Sequence, residues 1–259
     1  MSQNRRGTRS KDAALQESEQ LIAGRNPVLE ALRSENLPDA VYLSGNSGVL
    51  RQISDLAREK GIPVKTVSDA KLSLMTGNAN HQGAAASGSC GTYVSIEEIL
   101  QAAADKNEPP LIVICDEIQD PHNLGAIIRT AEAAGVHGII IPKRRSASLN
   151  LTVGKTSAGA VEYMPVARVT NIARTIEELK KEGIWVACAD MGGDEHFDAS
   201  LDGAIALVLG SEGDGVSRLV KEKCDFVVSI PMYGKISSLN ASVAASLLMY
   251  EVVRQRNYK

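Results

Sequence analysis

Three stretches of this chain place chemically distinct side chains beside glycines and helix starts able to present them. The first, Asp120-Pro121-His122-Asn123-Leu124-Gly125-Ala126-Ile127-Ile128-Arg129, sets an arginine inside an otherwise apolar helix. A lone arginine there commonly snorkels at the helix edge, but its planar fork also suits a phosphate. The second, Leu209-Gly210-Ser211-Glu212-Gly213-Asp214-Gly215-Val216-Ser217, carries Glu212 in a glycine-rich loop after an apolar strand. Such glycines permit tight turns with positive φ, and the acid also reads as an ordinary charge at a helix start. The third begins at Ile230, passes the turn Met232-Tyr233-Gly234-Lys235 and enters a helix opened by Ser237, Ser238, Leu239 and Asn240. Capping accounts for one of these side-chain oxygens, with Ser238 as the cap and Asn240 in the first turn. Several of them, followed by the small residues Ala241, Ser242, Ala244 and Ala245, fit a binding surface better.

The elements that must position these residues follow from pattern. From Leu111 onward apolar strands alternate with helices, the signature of a mostly parallel sheet with crossover helices. Expected strands are 111–115, 138–141, 185–189, 204–209 and 226–229. Expected helices cover 123–134, 150–157, 171–182, 215–221 and 238–256. Pattern alone stops at a doubly wound nucleotide-binding fold with its site at the strand C-termini. The turn after the first strand, Asp116-Glu117-Ile118-Gln119-Asp120-Pro121, has no glycine, which disfavours the common Rossmann methyltransferase layout. Upstream, residues 1–19 read as a flexible tail with a basic arm (Arg5, Arg6, Arg9, Lys11). Residues 20–93 form a small α/β unit. In it Leu21–Leu32 reads as a turn and an amphipathic helix, 41–43 and 64–67 as strands, 49–60 as a helix and 68–75 as a helix capped by Ser68. His81–Ala86 reads as an edge strand. Residues 94–107 follow as a linker helix, with the domain boundary placed within 88–108.

Taken in order, the three stretches resemble the three motifs of the SpoU (TrmH) family of RNA ribose 2′-O-methyltransferases. The resemblance covers about the last 150 residues. Residues 20–93 are similar to the small RNA-binding domain of the family's RlmB-like branch, which methylates a 23S rRNA guanosine. The resemblance implies a SPOUT-type α/β fold for residues 108–259, with a mostly parallel sheet and a deep trefoil knot. It also implies S-adenosylmethionine as methyl donor. Carried over residue by residue, Asn123 and Arg129 are the functional positions of the first motif. Glu212 is the acid of the second, and Gly210 a backbone contact of the donor. Ile230 and Leu239 contact the donor around its adenine, and Ser238 and Asn240 are the polar pair of the third motif. Arg129 would orient the nucleophile and offset phosphate charge, because a guanidinium keeps its proton. Glu212 would orient Arg129 or Asn123. The family likeness further implies a two-fold homodimer whose active site borrows from the partner. An apolar row on the last helix, Val243, Leu247, Tyr250 and Val253, could serve it. His122 and the His81-Gln82-Gly83 turn read as structural or RNA-facing rather than as general bases.

Bulk properties narrow the class. The 259 residues are 44% hydrophobic and 23% charged, as in a soluble globular protein, and no run nears the roughly 18 apolar residues of a membrane helix. The polar start carries no secretory h-region. Four scattered cysteines (Cys90, Cys115, Cys188, Cys224) without a CxxC pair suit reduced thiols in the cytoplasm, and no metal is expected. A net charge of −3 argues against indiscriminate nucleic-acid binding. The local cluster Lys143-Arg144-Arg145, with Lys155 and Arg168, is a candidate phosphate contact. Competing readings are a tRNA-directed enzyme of the same family, an rRNA methylase conferring antibiotic resistance, and a non-catalytic RNA-binding or ribosome-assembly protein.

Overall fold

The computed structural model describes residues 21–34, 37–88 and 90–258. The basic arm expected at residues 1–19 lies outside them. The chain forms two compact units, the first ending at Gly91 and including Ser148–Thr152, the second comprising Thr92–Ala147 and Val153 onward.

In the first unit four short strands, β1 (Leu21–Ala23), β2 (Val41–Leu43), β3 (Val64–Thr66) and β4 (Ala84–Ser87), form a sheet in the order β1-β4-β2-β3. Helices α1 (Arg25–Arg33), α2 (Val49–Glu59) and α3 (Asp69–Met75) cover it. Helix α2 buries Leu50, Ile53, Ser54 and Ala57, the i, i+3, i+4, i+7 stripe of an amphipathic helix. Helix α3 is capped as expected, with Ser68 Oγ accepting from the Lys71 N–H at 3.2 Å. The edge strand expected over His81–Ala86 is corrected. Strand β4 starts at Ala84 and lies inside the sheet between β1 and β2, while Leu21–Ala23, read as a turn, takes the edge. Ala84, Ala85 and Ala86 are all fully buried, so both faces of β4 are covered and no in/out alternation marks it.

The second unit is a seven-stranded sheet in which every pairing is parallel, in the order β11-β9-β10-β6-β7-β8-β5. Its strands are β5 (Tyr93–Val94), β6 (Leu111–Cys115), β7 (Gly138–Pro142), β8 (Val166–Val169), β9 (Trp185–Glu195), β10 (Ile205–Leu209) and β11 (Phe226–Ser229). Helices α4 (Ile96–Asp105), α5 (Pro121–Ala133), α6 (Leu151–Thr156), α7 (Ile172–Lys181), α8 (Arg218–Lys223) and α9 (Ala241–Asn257) connect and cover them. The central strands β6 and β10 are buried along their whole length, the continuous apolar pattern of a parallel sheet covered on both faces. Strands β5 and β8 add to the five expected; both are short, with β5 at one edge of the sheet and β8 between it and β7. Helix α4 begins in a capping box of Ser95 and Glu98 and packs Ile99 so close to Gly138 that a Cβ there would lie 2.5 Å away.

Two local features shape the site end of this sheet. Strand β9 pairs with β11 through Ala187 and Cys188, then through Asp194 and Glu195, so residues 189–193 bulge out of register. Gly193 permits the bulge, because a Cβ would fall 2.1 Å from the Val227 carbonyl oxygen. The last helix starts at Ala241, three residues later than expected, and Asn240 is its N-cap. Ser238 is not the cap.

Candidate active site

The loops at the carboxyl ends of β6, β9, β10 and β11 converge as the parallel fold requires. After β6, the buried Asp116 accepts a 2.8 Å hydrogen bond at Oδ2 from the Ser217 N–H and so anchors the glycine-rich loop that follows β10. That loop closes on itself through paired hydrogen bonds between Ser211 and Gly215. Gly210 must lack a side chain, since a Cβ would lie 2.0 Å from the Gly215 carbonyl carbon. Gly215 itself turns at φ +67°.

Three residues from the three stretches meet through their side chains. Asn123 Nδ2 donates to Glu212 Oε1 at 3.0 Å, and Asn240 Nδ2 donates to Asn123 Oδ1 at 2.9 Å and also to Glu212 Oε1. The orientation of the Asn240 amide follows from its capping role. Its Oδ1 accepts from the Ser242 N–H (3.0 Å), the Val243 N–H (3.3 Å) and the Ser242 hydroxyl (2.6 Å), so Nδ2 must face Glu212. Glu212 is thus held by two amide donors, those of Asn123 and Asn240, and of the two residues it was expected to orient it bonds Asn123. Asn123 sits in the first turn of α5, whose N-cap Asp120 accepts from the His122 N–H at 2.9 Å. Gly125 lets α5 approach its neighbour, as a Cβ would come 2.6 Å from Thr156 Cβ.

Beside this cluster lies a cleft of about 340 Å³ lined by Gly210, Glu212, Ile230, Ser238, Leu239 and Leu248 among others. Its walls combine apolar side chains with three acids, Asp190, Glu212 and Asp214, a mixture suited to an adenosyl group carrying a charged tail. Five of the eight residues singled out in sequence therefore line the cleft, and Asn123 and Asn240 join it through Glu212. Arg129 does not join them. It is exposed and makes no hydrogen bond or ion pair among the described residues. Ala189, Asp190 and Met191, from the β9 bulge, also line the cleft and carried no sequence motif. The signal available for them was positional, the carboxyl end of a parallel strand. Asp190 is held by Lys221 Nζ at 2.6 Å. Cys115, at the end of β6, offers no nucleophile, because burial pushes its thiol pKa up to about 12. Among the described residues no group of His, Cys, Asp and Glu is arranged to hold a metal, and no helix is long and apolar enough to cross a membrane.

Known proteins share this architecture. Residues 110–250 match the SpoU rRNA Methylase family, and residues 21–89 match the domain described as RNA 2′-O ribose methyltransferase substrate binding. A Bacillus subtilis (strain 168) protein assigned to the TrmH family of tRNA/rRNA methyltransferases is 50% identical over 240 residues, covering 91% of this chain and 96% of its own. The SpoU methyltransferase AviRb from Streptomyces viridochromogenes, solved with S-adenosylmethionine, superposes with a TM-score of 0.59 at 26% identity, covering 92% of this chain and 90% of its own. The A. aeolicus TrmH/SpoU tRNA modifying enzyme gives a TM-score of 0.52 at 29% identity, covering 57% of this chain and 76% of its own. The chain belongs to the SpoU (TrmH) family of RNA methyltransferases. It is an S-adenosylmethionine-dependent enzyme acting on RNA.

Proposed function

We propose that the protein methylates the ribose 2′-hydroxyl of a guanosine in 23S rRNA, as a homodimer in the cytoplasm. The observation that carries this reading is the Asn123–Glu212–Asn240 cluster at the mouth of the 340 Å³ cleft. S-adenosylmethionine supplies the methyl group. The cleft around Gly210, Ile230 and Leu239 holds its adenosyl end, and Ser238 faces the reacting region. The amides of Asn123 and Asn240 fix the Glu212 carboxylate. Arg129, exposed and without a partner among the described residues, takes the phosphate next to the target ribose and lowers the cost of ordering it, leaving the 2′-hydroxyl proton to pass to solvent. Most of the acceleration then comes from holding the hydroxyl oxygen in line with the methyl.

Residues 20–93 select the RNA in this reading, 94–107 link, and 108–259 catalyse, the last threaded as a trefoil knot that sets Asn240 beside Asn123, 117 residues earlier. The dimer uses the outer row of α9, where Val243, Leu247 and Tyr250 are about half exposed. Support for ribosomal RNA comes from the substrate-binding unit, since the tRNA modifying enzyme of A. aeolicus matches only 57% of the chain. Mapping 2′-O-methylation in ribosomal and transfer RNA from a strain lacking the gene tests the target. Loss of one 23S guanosine methyl is expected; loss confined to tRNA overturns the ribosomal assignment.

A further inference from the structure

The first unit carries an open cleft of about 420 Å³ that the methyl-transfer site does not use. Its base is rigid. His81 is 8% exposed and accepts at Nδ1 from the Gly83 N–H at 3.0 Å, so its proton sits on Nε2, 2.9 Å from Ser73 Oγ. Gly83 turns at φ +83°, where a Cβ would meet Leu50 Cδ1 at 3.0 Å and Ser44 Oγ at 3.1 Å. The Ser44 N–H donates to the Gly83 carbonyl at 2.9 Å, and its hydroxyl donates to Asp69 Oδ1 at 3.0 Å.

On that base stands a polar rim with unused capacity. Arg25 Nε donates to the Gln82 carbonyl at 2.8 Å, which ties the guanidinium to the cleft lining and leaves both terminal nitrogens without a partner among the described residues. The side-chain amides of Asn80 and Gln82 also make no hydrogen bond among the described residues, and both residues are exposed. Gln82 holds a left-handed φ of +50°, a conformation costly for a side chain of its kind and sustained here by the fixed base. Two amides, each with donor and acceptor, together with a fork of donors, form a set able to read the edge of one base. An A-form duplex hides its major-groove base edges in a deep, narrow groove, whereas an unpaired nucleotide can be splayed into an open cleft.

We propose that this cleft binds one unpaired nucleotide of the substrate RNA, distinct from the methylated one. Asn80 and Gln82 read its base and Arg25 holds its phosphate. This rests on the reading of the first unit as the RNA-selecting part. The test uses the full-length enzyme, an unmethylated 23S rRNA transcript and labelled S-adenosylmethionine. Arg25→Ala, Asn80→Ala and Gln82→Gly, the last compatible with φ +50°, should each raise KM for the transcript about tenfold or more. Turnover at saturating RNA and donor affinity should stay at wild-type levels. Arg33→Ala and Arg51→Ala, on other parts of the same unit, should change nothing. Wild-type KM in all three cleft variants, or equal effects in the two controls, overturns the proposal. The wild-type lane separates this from the ribosomal reading. If that lane is inactive on 23S rRNA but active on tRNA transcripts, the ribosomal reading fails and the same variants are measured on tRNA with the same criteria.

Discussion

Asn240 does two jobs with opposite ends of one amide. Its oxygen caps α9 and its nitrogen faces Glu212 and Asn123. Substitution can separate them. Asn240→Asp keeps a good cap but replaces the donor with a charge set against Glu212, so methyl transfer should collapse while the melting temperature stays near wild type. Asn240→Ala should lose activity and about 1 kcal/mol of stability together. Thermal melts and single-turnover assays on both variants check the distinction, and an active Asn240→Asp variant would remove the donor role. Arg129→Ala should cost more than tenfold in turnover, above about 1.4 kcal/mol, with donor binding unchanged by titration calorimetry. At this scale the sequence carried a good deal. The resemblance of the three stretches to the family's motifs singled out Asn123, Glu212 and Asn240, whose side chains the structure brings into contact. It did not reveal that Asn240 rather than Ser238 is the cap, because either residue type caps well and only backbone geometry chooses. Nor did it reveal that Arg129 stands alone.

Among the elements, legibility tracked burial pattern. The strands 111–115 and 226–229 and the parallel layout were readable because apolar runs alternate with helices. Strand β4 was misplaced because three buried alanines have no polar face, and β5 was passed over because two residues hold too little pattern. The β9 bulge was hidden for a different reason. It depends on Gly193 meeting the Val227 backbone, a contact between segments more than thirty residues apart, beside Gly192 at φ +81°. Gly210→Ala should break the closed loop of residues 210–215 and abolish donor binding while leaving most of the sheet intact, as equilibrium dialysis and circular dichroism can measure. At the opposite end of the sheet, fully enclosed His137 accepts from the Leu111 N–H at Nδ1 and meets Glu108 at 3.2 Å through Nε2. Burial, reinforced by Lys106, lowers its pKa below the usual 6.5. Above that value both folded and unfolded chains leave the ring neutral. As the pH falls through it, the unfolded chain takes up a proton that the folded one refuses, so stability declines with acidity. His137→Gln should flatten the fall in melting temperature between pH 7.5 and 5.5; an unchanged slope would place the acid sensitivity elsewhere.

Across the whole molecule, α9 shows an apolar character that one packing face does not use up. Ala245, Leu248, Met249 and Val252 are fully buried, while Val243, Leu247 and Tyr250 on the other side are about half exposed. Leu247→Glu with Tyr250→Glu should convert the proposed dimer to a monomer by sedimentation and abolish methylation. A double variant that stays dimeric would direct the search to another surface. The same helix has a consequence for synthesis. The first unit leaves the ribosome early and contains its own sheet and core, so it can fold while translation continues. The cleft proposed for the donor cannot, since Leu239 and Leu248 line it and the Asn123–Asn240 bond spans 117 residues. Until residue 248 emerges, a nascent chain lacks part of that cleft's wall, however well its earlier strands are paired. Closure over so long a loop is slow, and a chain stalled shortly before that point would be a folded but inert protein.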